Sequence, residues 1–132
     1  MSKHFQYVPI TGEDARHLAI VLADSIKTRI MSGRDVNDNQ APPLAKNYAR
    51  AKQRRGLNPI RDWRWSGNTL AALGPVTTPA GQIAVGFNNP KAARIAAILN
   101  VRCQQFGISP GDQANIIDYL NHTRPKFVRI AA

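Results

Sequence analysis

Apolar residues recur at helical spacing at Ala15, Leu18, Ala19, Leu22, Ile26 and Ile30, which predicts an amphipathic helix over about Glu13 to Ser32. Thr11-Gly12-Glu13-Asp14 supplies an N-cap with an acid three residues on, and Gly33 supplies a stop. Ile20 and Met31 fall on the opposite, mostly polar face beside Asp24 and Lys27. They are the candidate oligomer face, although scattered exposed apolar residues are also ordinary on a folded surface.

Arg34 to Pro43 reads as a polar loop whose Pro42-Pro43 end can open a helix but not continue one. Leu44 to Arg55 then predicts a short basic helix with a thin apolar edge, closed by Gly56. Leu57 to Leu73 is irregular, a loop with one helical turn. Val76-Thr77-Thr78 and Gln82 to Phe87, flanking Pro79-Ala80-Gly81, predict a β-hairpin with Ile83, Val85 and Phe87 on one face. Asn89-Pro90 pairs an N-cap with proline at the first helical position, and Ala92, Ile95, Ala96, Leu99, Cys103 and Phe106 form the stripe of the helix that follows. Ser109-Pro110-Gly111-Asp112 repeats the capping signal ahead of Ile116, Ile117 and Leu120. The tail Phe127 to Ile130 alternates like a strand, able to pair with the hairpin or to serve as a contact arm.

These elements predict an α+β fold in which three longer helices and one short basic helix pack with a small antiparallel sheet. At 132 residues, 43% of them hydrophobic, the chain suits one domain. Residues 1–12 form an N-terminal arm, 13–122 the core and 123–132 a C-terminal tail. The expected core comprises Leu18, Leu22, Ile26, Ile83, Val85, Ile95, Leu99, Cys103, Phe106, Ile117 and Leu120.

Charge changes the picture. Eighteen Lys and Arg against eight acids give +10, which points to an acidic partner: nucleic acid, an anionic membrane or an acidic protein surface. Seven of those cations, Lys46, Arg50, Lys52, Arg54, Arg55, Arg61 and Arg64, fall in a nineteen-residue window with one acid, Asp62. Tyr48, Trp63 and Trp65 are interleaved there, as a single-strand binder would use for stacking, or as core aromatics beneath a solvated face. Arg54, Arg55, Arg61, Trp63 and Arg64 are the candidate partner or DNA contacts, the arginines giving charge complementarity and the tryptophan an anchor.

No run approaches a membrane span, and Met-Ser-Lys-His lacks the apolar stretch of a signal peptide. With a single Cys103, expected as a buried and inert thiol, synthesis in a reducing cytoplasm follows. Catalysis is not expected. His4, His17 and His122 lack ligand-spaced neighbours, Glu13 is the only glutamate, and no phosphate-cradling glycine motif is present. No cofactor or metal is implied. Asp35 to Gln40 imitates the start of a calcium loop but has Gln40 where glycine is needed and Lys46 where a closing glutamate belongs.

Read in order, the segments resemble the phage virion morphogenesis family, the tail-completion or head-tail joining proteins of tailed bacteriophages. The resemblance covers about residues 14 to 120. It is carried by Ile26-Lys27-Thr28-Arg29-Ile30, the loop into Ala41-Pro42-Pro43-Leu44, the basic Ala49 to Gly56, and Trp65-Ser66-Gly67 with Leu70. Ile83-Ala84-Val85-Gly86-Phe87, the helix Ala92 to Leu99, and Arg102 through Phe106-Gly107-Ile108-Ser109-Pro110-Gly111-Asp112 complete it. The resemblance implies a structural protein of the virion, at the neck or tail end, made in the bacterial cytoplasm. As such it would form a homo-oligomeric ring docked on other tail or connector proteins. The alternative left open by the residues is a basic nucleic-acid-binding accessory protein that uses residues 46–64 on phosphates.

Overall fold

The computed structural model describes residues 4–7, 12–123 and 128–131. The fold is α+β. In chain order it has β1 (His4–Tyr7), α1 (Gly12–Met31), α2 (Lys46–Arg54), the single turn α3 (Asn68–Ala71), β2 (Leu73–Thr77), β3 (Ile83–Phe87), α4 (Pro90–Arg102), α5 (Pro110–Thr123) and β4 (Val128–Ala131). Thr11, the expected cap of α1, and Phe127 lie outside the described residues.

β2 and β3 form the expected hairpin, in antiparallel register with Leu73 opposite Phe87 and Thr77 opposite Ile83. β4 corrects an expectation: it pairs antiparallel with β1, not with the hairpin, so the two ends of the chain form a second two-stranded sheet.

The core lies where α1 and α4 cover the hairpin. Ala23, Ile26, Ile30, Leu70, Leu73 and Ala96 are buried there, with Phe87 and Phe106 packed alongside at a ring separation of 5.3 Å. α1 and α2 end alike. The N–H of Gly33 bonds the carbonyl of Ile30 and that of Arg34 bonds Arg29, and Gly56 and Leu57 repeat the pattern on Gln53 and Lys52. Asn89 caps α4 by accepting the Ala92 N–H at 2.7 Å. At α5, the Ser109 hydroxyl accepts the Asp112 N–H while the Asp112 carboxylate accepts the Ser109 N–H, a reciprocal capping box.

Helix rotation corrects part of the expected core. Ile95 and Ile117 are exposed, the latter by 58%. α4 turns Ala92 and Ala96 inward, which leaves Ile95 about 100° away from that line. α5 buries Asp112 and half-buries Ile116, Tyr119 and Leu120, spaced four, seven and eight residues on, and Ile117 falls beside that stripe. Leu18, Leu22, Ile83, Val85, Leu99, Cys103, Phe106 and Leu120 are half-buried, and Ile26 is fully buried. α4 also stops before Cys103 and Phe106, because the Asn100 carbonyl oxygen of the side chain takes the N–H groups of Gln105 and Phe106 and turns the chain.

Candidate functional site

The basic window becomes a built surface through one buried ion pair. Lys52, the buried residue of α2, donates to the Asp62 carboxylate and, at 2.7 Å, to the Ile60 carbonyl. Asp62 also accepts the Arg64 N–H at 3.0 Å. An ion removed from water needs a partner and satisfied lone pairs, and here both come from the loop that returns from α2. The lone acid of the window is thus the counter-ion of the one buried cation, and the loop from Ile60 to Arg64 is folded back on the helix.

Trp63 follows in a left-handed conformation at φ 60°, which sends its side chain inward while Arg64 and Trp65 face outward. It is 7% exposed and packs on Phe87 at 6.4 Å, so the anchor expected for a partner is a core residue of this chain. Its indole N–H is buried without an acceptor. The exposed aromatics of the window are Tyr48 and Trp65, stacked at 5.6 Å, with the Arg55 guanidinium 4.3 Å from the Trp65 ring centre.

The remaining candidate contacts divide. Arg54, Arg55 and Arg64 are exposed, whereas Arg61 is half-buried and donates to the Pro42 and Pro43 carbonyls at 3.0 and 3.2 Å. Lys52 and Arg61 therefore serve the fold, Arg55 is held against Trp65, and the exposed charge of the window rests on Lys46, Arg50, Arg54, Arg55 and Arg64. Ile20 and Met31 are 40% and 42% exposed on one line of α1, with Asp24 and Lys27 between them. They stand as two separate apolar points about 16 Å apart along the helix.

A second buried cation frames the far side. Arg29 donates to Asp112 at 3.1 Å, to the Gln105 carbonyl at 2.7 Å and to the Gly107 carbonyl at 2.9 Å, joining α1, α5 and the segment before it. The sequence pattern puts Arg29 on a helix and Asp112 at a cap but does not pair them. The signal was available in part: Arg29 shares the apolar stripe with Ile26 and Ile30, an unusual place for a cation without a partner.

Among the described residues no His, Cys, Asp or Glu cluster is placed to hold a metal. Asp35 accepts the N–H groups of Asn37 and Asn39, and Asp38 accepts that of Gly111, so the would-be calcium loop spends its carboxylates on its own backbone and α5. Burial pushes the Cys103 thiol, which is half-buried and not the buried thiol expected, above its ordinary range against the pull of Arg61. No described helix is long and apolar enough to cross a membrane. Compared with protein-family models, curated proteins and solved structures, the chain matches none.

Proposed function

We propose that the protein is an assembly component of a tailed-phage particle that completes the tail or joins it to the head by docking on other virion proteins. The observation that supports this reading is the division of charge and apolar surface. Residues 46–102 carry ten Lys and Arg and one acid, which is internally paired, and α4 adds exposed Ile95, Ile98 and Val101 to the same stretch. A cationic surface with aliphatic points suits lasting contact with an acidic protein face better than it suits chemistry. The order of segments, which resembles that of the virion morphogenesis family, gives that docking its setting.

Deleting the gene from the phage or prophage that encodes it is expected to leave heads and tails unjoined in electron micrographs, restored by expression in trans. Joined, infectious particles without the protein would sink the proposal. The exposed Tyr48–Trp65 stack with Arg55 supports a second reading, contact with single-stranded nucleic acid. That reading requires affinity for an oligonucleotide that falls linearly with salt on logarithmic axes.

A further inference from the structure

We propose that the groove between α2 and α4 receives an acidic segment of a partner protein that inserts an apolar anchor side chain. This deepens the docking role above and rests on it for where the partner is found. The groove holds about 330 Å³. Leu44, Tyr48 and Trp63 line it together with Ile98 and Leu99 of α4. Ile98 is 59% exposed, so the α4 wall keeps apolar area in water that an inserted side chain would cover.

The charges around this apolar lining are of one sign. Arg61, Arg64 and Arg102 line the groove, and its only carboxylate, Asp62, is 1% exposed and bound to Lys52. Among the described residues no other acid lines the groove to compete for an incoming carboxylate. A second copy is a poor occupant: it brings another +10, and its exposed acids on α1 are interleaved with Arg16 and Lys27. Nucleic acid would satisfy the arginines but leave Ile98 and the apolar lining uncovered. An acidic peptide with a large apolar residue meets both demands at once.

Short peptides are selected from a displayed random library on the immobilised full-length chain. The most enriched is then measured by fluorescence anisotropy against wild type, Ile98→Asp and the double variant Arg64→Glu with Arg102→Glu, with oligothymidylate in parallel. The altered side chains are exposed, and circular dichroism of each variant checks that it folds as wild type does. Enrichment of Asp and Glu around Leu, Phe or Trp is expected, with affinity reduced about tenfold or more in each variant. Selection without acidic anchored sequences overturns the proposal, as does unchanged affinity for Ile98→Asp. Oligothymidylate binding that exceeds peptide binding assigns the surface to nucleic acid instead. Failure here with heads and tails still unjoined in the deletion removes the groove and leaves the assembly role. Success here with infectious particles in the deletion does the reverse.

Discussion

Asp112 is buried, which by itself would raise its pKa, yet the carboxyl is held below the ordinary range. The Ser109 N–H and the Ser25 hydroxyl donate to it, and Arg29 adds charge and a further hydrogen bond. The sign of the linkage follows. Above the unfolded value of about 4 both states are ionised and the stabilisation is whole; it drains away as pH falls through the lower folded value, because the unfolded chain takes up the proton first. Urea midpoints measured from pH 7 down to pH 2 are expected to fall steeply at the acid end in wild type. Asp112→Asn should be less stable at pH 7 and lose much of that acid slope. An equal slope in both proteins would show that other carboxylates carry the acid response. Lys52 and Asp62 form the companion pair, in which loss of either partner leaves a buried charge alone, a cost of about 3–5 kcal/mol in typical proteins.

At the scale of elements, the segment between α4 and α5 shows how tightly the pieces are joined. Gly107 sits at φ 150°, its carbonyl bonded to Arg29, and a Cβ placed there would meet Val36 Cγ2 at 2.8 Å. Val36 is itself tied to the segment through its N–H and the Gln104 carbonyl. Gly107→Ala is therefore expected to cost about 1–3 kcal/mol through backbone strain and overpacking, read as a lower urea midpoint. Adding Val36→Ala should return the steric part and leave the backbone part. A double variant no better than the single would place the whole cost in the backbone. Helix starts and stops were legible in the sequence because caps are local: Asn89-Pro90, Ser109 to Asp112, Gly33 and Gly56 each act within a few residues. Which side of a helix faces inward was less legible. Ile95 and Ile117 match the apolar period as well as their neighbours do, and only the packing of α4 on the hairpin and of α5 on α1 turned them out. Trp63 was misread for a related reason. Its neighbours Arg61 and Arg64 suggested a surface, while its inward turn depends on Asp62 bonding Lys52 ten residues earlier in the chain.

For the whole molecule, the charge is unevenly placed: seven of the eight acids lie in residues 13–38 and 112–118, and the intervening stretch exposes cations, with Ile95, Ile98 and Val101 of α4, and no unpaired acid. The two kinds of surface should act on different steps of binding. Charges such as Arg64 and Arg102 act at a distance, over about a Debye length of 8 Å at physiological salt, and speed encounter with an acidic segment. Ile98 touches only what has already docked and so governs escape. In stopped-flow mixing with the selected acidic peptide, Arg64→Glu with Arg102→Glu is expected to lower the association rate by about one decade and to flatten its salt dependence. Ile98→Asn, which removes the apolar contact without adding a charge, should leave association nearly unchanged and speed dissociation about tenfold. The opposite partition, with arginine substitutions felt only in dissociation, would mean that the guanidinium groups are desolvated contacts within the bound state. The groove would then recognise its partner by fixed ion pairs more than by an apolar anchor, and a conservative Arg64→Lys change would cost nearly as much as charge reversal, because lysine lacks the planar fork.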